Sequence, residues 1–160
     1  MIPIELKQIV LSYLYLEEIP ECYHSILTEV YSKKDKIDDI SIFKRCKILS
    51  LPNNTNITDE CILQLSRTLE YLDLSCNENL TDKCILQLPI NLEYLDLNCN
   101  KNLTNEYISQ LPRKLKHLNL SCNKNLTDEC ISQLPRDLEY LDLYYNKNLT
   151  DECISQLPRD

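Results

Sequence analysis

Apolar residues recur along most of this chain at an interval that no single helix or strand produces. Laid against itself, the sequence repeats every 23 residues, placing Ile42, Leu65, Leu88, Leu111 and Leu134 in one column. Five ungapped units follow, 42–64, 65–87, 88–110, 111–133 and 134–156, and residues 157–160 open a partial sixth. A period of this size marks a solenoid, in which each unit buries its apolar face only by stacking on the next.

The columns within a unit predict its local structure. Leu72 and Leu74 alternate with polar neighbours, so they share one side of a strand and face the core. Tyr71, Asp73 and Ser75 then face the other way, and stacking turns such positions into one continuous surface. Asn54, Asn77, Asn100, Asn123 and Asn146 follow the strand, where the chain turns and backbone groups lose their partners. An amide side chain both donates and accepts, which predicts a unit-to-unit ladder. A second column, Asn56, Asn79, Asn102, Asn125 and Asn148, is expected to supply left-handed turn geometry where glycine would otherwise stand. Thr81 and Asp82 then read as a helix start, the hydroxyl capping and the carboxylate facing the positive end of the dipole. Cys84, Ile85 and Leu88 share a helical face, and Pro89 stops the helix.

Residues 1–41 lie off this period and form a separate segment. Pro3 suits a first helical position, and apolar residues at 6, 9, 10, 11, 13, 14 and 16 leave a narrow polar stripe of Glu5, Gln8 and Ser12. The expectation is a helix that must bury both flanks. One flank would cap the first repeat, and the other would need a partner. The fold class expected for the whole chain is therefore an α/β repeat solenoid, with a parallel sheet on the concave face, short helices on the convex face, and a small helical cap before them.

Charge and composition narrow the function. The formal net charge is −8 and the 17 Lys and Arg residues are scattered, so nothing attracts a phosphate backbone and nucleic acid is not an expected partner. The longest apolar stretch, Ile9 to Leu16, is broken by Ser12 and too short to span a bilayer. Glu5 precedes Lys7, and no cleavage-site pattern follows, so no secretory signal is recognised. The expected setting is intracellular, cytoplasmic or nuclear, without membrane contact. Glycine is absent, which removes every phosphate-binding and dinucleotide loop that depends on it.

The nine cysteines are expected to be small apolar side chains and not a disulfide framework. Cys61, Cys84, Cys130 and Cys153 share a helix column, and Cys76, Cys99 and Cys122 share one just past the strand. Metal sites need converging ligands at shorter spacing, so neither a metal nor another cofactor is expected. The two histidines, His24 and His117, lack a nucleophile and orienting group in evident reach, and the chain reads as non-catalytic.

The outward columns are the candidate binding surface. Tyr71, Tyr94, His117 and Tyr140 form one, Asp73, Asp96, Asn119 and Asp142 the next, and Ser75, Asn98, Ser121 and Tyr144 the third. Tyrosines are rigid amphipathic anchors, and neighbouring acids steer basic partners. A protein segment carrying Lys or Arg is the partner such a face fits, with Tyr94 and Tyr140 as anchors.

The stretch LEYLDLSCNENLTDKCI resembles the cysteine-containing subclass of leucine-rich repeats, and the Leu-Pro that opens the units from Leu88 onward is similar to FNIP-type repeats. The resemblance covers residues 42–160 and implies a binding solenoid. Ile2-Pro3, Glu5-Leu6, and Ile9 with Ser12-Tyr13-Leu14 resemble the opening of an F-box, a three-helix module. That resemblance implies docking of Ile2, Pro3, Leu6, Ile9 and Leu14 onto a Skp-type adaptor, and a role as substrate-recognition adaptor of a cullin-RING (SCF-type) ubiquitin ligase. The alternative is a repeat scaffold whose first helices only cap the array.

Overall fold

The computed structural model describes residues 9–10, 29–31, 40, 43 and 45–157. Seven short strands form one parallel sheet in chain order: β1 (Ile9–Val10), β2 (Glu29–Tyr31), β3 (Ile48–Ser50), β4 (Tyr71–Asp73), β5 (Tyr94–Asp96), β6 (His117–Asn119) and β7 (Tyr140–Asp142). From β3 onward, each residue sits opposite its equivalent 23 places along, as Tyr71 does opposite Tyr94 and Leu72 opposite Leu95. Pairing continues beyond the strands through Leu74 N–H to Asp96 O at 2.9 Å and Cys76 N–H to Asn98 O at 2.8 Å. Each stretch of chain is thus one coil of a stack.

The first two strands correct the expectation of a helix over the N-terminal segment. Ile9 lies opposite Val30 and Glu29 opposite Ile48, in parallel register with the rest of the sheet. Coil lengths of 21 and 19 residues there escape a search for period 23, yet bring the chain back to the same sheet edge. A run of β-branched and leucine side chains fits a buried strand as well as a helix, and periodicity alone does not separate them. Ile2, Pro3, Leu6 and Leu14 lie outside the described residues.

The core is a set of leucine columns. Leu49, Leu72, Leu95 and Leu118 are wholly buried, as are Leu51, Leu74, Leu97 and Leu120, each contributing about 2 kcal/mol by leaving water. On the opposite side lie a four-residue α-helix, Asp59–Ile62, and 3-10 helices at Asp82–Gln87, Ile108–Gln110, Asp128–Gln133 and Asp151–Gln156. Tighter 3-10 winding fits the few residues between threonine and the Leu-Pro stop. Cys84, Ile85 and Leu88 are buried beneath the sheet, as their shared face requires. The last coil described is less well covered: Leu138, Leu141, Leu143 and Leu149 are only partly buried. Among the described residues, no helix is long and apolar enough to cross a membrane.

Three side-chain ladders tie coil to coil. In the first, Asn77 Oδ1 accepts from Asn54 N–H at 2.7 Å, while its Nδ2 donates to Leu51 O at 3.0 Å. Asn100 repeats this on Asn77 N–H and Leu74 O, both at 3.0 Å, and Asn146 on Asn123 N–H and Leu120 O, at 2.7 and 3.0 Å. Asn123 keeps the donor half, to Leu97 O at 2.9 Å, but its buried Oδ1 has no partner. In the second ladder, Asn102, Asn125 and Asn148 donate to Glu78 O, Lys101 O and Lys124 O at 2.7, 2.9 and 2.7 Å.

This second column therefore bridges coils and does not provide the left-handed turn. The positive φ angles fall on Asn53, Cys76, Cys99, Cys122 and Tyr145, between 57° and 60°. Holding a residue with a β-carbon there costs about 1–2 kcal/mol, which the flanking inter-coil bonds offset.

The third ladder changes the role expected of Asp82. Its two carboxylate oxygens accept from Thr104 N–H and Oγ1 at 2.7 and 2.6 Å, and Asp59 and Asp128 grip Thr81 and Thr150 in the same way. Those bonds hold the Asp128 carboxyl below the ordinary aspartate range. Its contribution is present above that range and fades as pH falls through the lowered value. Asn105 substitutes, its Nδ2 donating to Thr127 Oγ1 at 2.6 Å. Thr81 caps as expected, accepting from Lys83 N–H at 3.3 Å.

Replacing Asn100 by Ala strands the buried Asn77 N–H and Leu74 O, and the expected loss is about 2–4 kcal/mol in chemical denaturation. Asn102→Ala, at an exposed rung, is expected to cost less than about 1 kcal/mol.

Candidate functional site

The open face of the sheet carries the columns read from the sequence, held in rows by the strand register. Tyr71 and Tyr94 stack with ring centroids 4.1 Å apart and planes 12° from parallel. His117 follows 6.0 Å from Tyr94, and Tyr140 lies 6.0 Å from His117, tilted by 28° and 30°. One aromatic ribbon thus crosses four strands. Its members are not equally available: Tyr71, Tyr94 and His117 are half-buried by their neighbours, whereas Tyr140 on β7 is 53% exposed. Burial raises the Tyr71 hydroxyl far above the ordinary tyrosine range and raises Tyr94 in the same direction. Both rings remain neutral hydrogen-bonding groups at physiological pH.

The acidic column runs beside the ribbon and is partly committed to local structure. Asp73 Oδ1 accepts from Ser75 N–H and Oγ at 2.9 and 2.7 Å, and Oδ2 accepts from Ser50 Oγ at 2.8 Å. Asp96 Oδ1 accepts from Asn98 N–H at 2.8 Å, and Oδ2 from Asn119 Nδ2 at 2.9 Å. Asn119 Oδ1 makes the same turn-closing bond to Ser121 N–H, at 3.0 Å. Asp142 Oδ1 closes its turn with Tyr144 N–H at 2.8 Å. These are side-chain-to-backbone turns two residues long, so the column shapes the exit from each strand as well as charging the face.

Asp96 shows the strain of this packing. Burial raises its carboxyl above the ordinary range, the Asn98 amide and Asn119 pull it back, and Asp73 and Asp142 raise it further. Because the folded value is raised, ionising Asp96 costs stability, and the cost sets in as pH climbs through that value. Asp73→Asn is expected to lower the Asp96 value, measured by carbon-detected NMR titration, without returning it to the usual range, since burial is the larger cause. A value unchanged by the substitution would show that the two acids do not interact.

The third column departs most from its own pattern. Ser75 and Asn98 are half-buried and Ser121 is buried, but Tyr144 is 70% exposed. Tyr145, which sequence reasoning passed over, lies beside it with ring centroids 4.9 Å apart at 59° and is 60% exposed. The available signal was its place in the column, which holds Cys in the three units before it. The cysteines divide by column. Cys84, Cys130 and Cys153 are buried, and burial pushes the Cys130 thiol up to about 11, far from a reactive thiolate. Cys76, Cys99 and Cys122 are half-exposed at the left-handed positions. All cysteines among the described residues are free thiols.

With this geometry in place, comparison with known proteins yields two findings. A family profile described as a leucine-rich repeat matches residues 65–83, 89–106 and 112–132. Among solved structures, the chain resembles the yeast complex of Rad7 and Elc1, with a TM-score of 0.55 and 23% identity over 84% of this chain and 47% of that one. It also resembles the leucine-rich-repeat-containing protein LegL7 from Legionella pneumophila, with a TM-score of 0.56 and 16% identity over 86% of this chain and 55% of that one. The chain therefore spans about half the length of either structure. Among curated proteins, no sequence matches. The fold is a leucine-rich-repeat coil, as the sequence pattern implied.

Proposed function

We propose, taking the leucine-rich-repeat coil as the premise, that the chain is a non-catalytic protein-binding module whose open sheet face captures a protein segment carrying Lys or Arg. The observation that carries this reading is the aromatic ribbon lying in register beside the acidic column. Tyrosine faces offer rigid area at low entropic cost, and the carboxylates favour cationic side chains alongside them. The direct test is panning of random phage-displayed peptides against the full chain. Enrichment of Lys- or Arg-bearing peptides is expected, together with its loss in the Tyr94→Ala/Tyr140→Ala variant at an unchanged melting temperature. Peptides without basic residues, or capture that survives the double substitution, would refute the assignment.

A finer reading, recruitment of a Skp-type adaptor of a cullin-RING ubiquitin ligase by the N-terminal segment, is supported by the F-box-like residues Ile2, Pro3, Leu6, Ile9 and Leu14. A solved neighbour that is itself a two-protein complex is compatible with it. The strand at Ile9–Val10 favours the simpler scaffold, because a three-helix module has no place for Ile9 in a sheet. A pull-down with the Skp-type adaptor separates the two. Binding by the parent chain that is lost in Leu6→Asp and Leu14→Asp supports the adaptor role, and no binding by the parent supports the scaffold.

A further inference from the structure

Three observations single out one end of the binding face. First, Asp73 and Asp96 have both carboxylate oxygens engaged by neighbouring side chains and turn amides. Asp142 uses Oδ1 for the Tyr144 amide, and its Oδ2 has no partner among the described residues. Second, Tyr140 and Tyr144 flank Asp142 at two-residue spacing on the same side of β7 and its extension, and both are more than half exposed. Third, Tyr145 packs against Tyr144 at a steep angle and gives that ring a fixed wall.

From this juxtaposition, we infer that Tyr140, Asp142 and Tyr144 form a receptor for a single arginine side chain of the partner. The inference rests on the protein-binding reading above and locates its strongest contact. A free carboxylate oxygen between two exposed tyrosine faces suits a guanidinium, which donates in its plane while its faces stack on rings. A lysine ammonium makes the ion pair alone and gives up a tighter hydration shell to do so. The inner acids carry the same formal charge, but their oxygens are already occupied. They shape the face, and Asp142 makes the contact.

The fold itself supplies conservative variants. Asn119 occupies the place of Asp142 in the preceding coil and closes the same turn, so Asp142→Asn keeps the backbone bond and removes the charge. Ser75 and Ser121 occupy the place of Tyr144, so Tyr144→Ser is likewise accommodated by the turn. The test is an amide NMR titration of the full chain with the blocked tripeptides Gly-Arg-Gly and Gly-Lys-Gly. Saturable shifts centred on residues 140–145 are expected with the arginine peptide. Affinity should fall at least tenfold in Asp142→Asn and in Tyr144→Ser, remain unchanged in Asp96→Asn, and be severalfold weaker for the lysine peptide. Shifts centred on residues 71–96 would overturn this placement while leaving the basic-segment reading intact. Equal binding by Asp142→Asn, or no saturable shift at residues 140–145, would overturn it as well. Failure of the broader reading is seen separately, as absence of basic peptides from the phage selection.

Discussion

The structure depends on each coil's polar turn being satisfied by the next coil. A leucine side chain entering the core brings its backbone with it, and amide groups buried without partners would cancel much of what the side chain contributes. The asparagine after each strand resolves this conflict: its carbonyl takes the previous coil's N–H, and its amide reaches a carbonyl further back. The leucine columns can therefore be fully buried although no coil has a core of its own. The aspartate–threonine clasp does the same at the opposite side, where each short helix begins.

Regular stacking of the interior imposes regularity on the exterior. Every outward residue stands beside its counterpart one strand away, so an aromatic residue repeated in the sequence becomes a ribbon and a repeated acid becomes a charged row. Their properties nevertheless diverge with position. An interior row has neighbours on both sides that take up hydrogen-bonding capacity and cover ring faces. Tyr71 and Tyr94 press together, while Tyr140 stays open. Chemical identity is thus shared among units while availability is graded along the stack.

This distinction explains what the sequence disclosed and what it did not. The inward leucines, the asparagine ladder and the outward columns were legible because each is a repeated residue type with one physical use. The left-handed position was misassigned because asparagine tolerates positive φ, whereas nothing about Cys76, Cys99 or Cys122 advertises it. Asp82 looked like a response to a helix dipole because its true partner, Thr104, lies 22 residues away. The strands at Ile9–Val10 and Glu29–Tyr31 were hidden by coils of unequal length. Engagement of individual carboxylate oxygens has no sequence signature, since it depends on which neighbour, Ser50 or Asn119, stands across the strand.

The inter-coil bonds also act as an address system, because partners lie at fixed separations of 22, 23, 24 and 26 residues. Excising or copying one whole block rejoins like with like at every address, whereas a one-residue insertion misdirects all of them at the same time. Natural variation in such an array is therefore confined to quantised steps of length. The outer surface can grow or shrink by a row without any existing contact having to be reinvented.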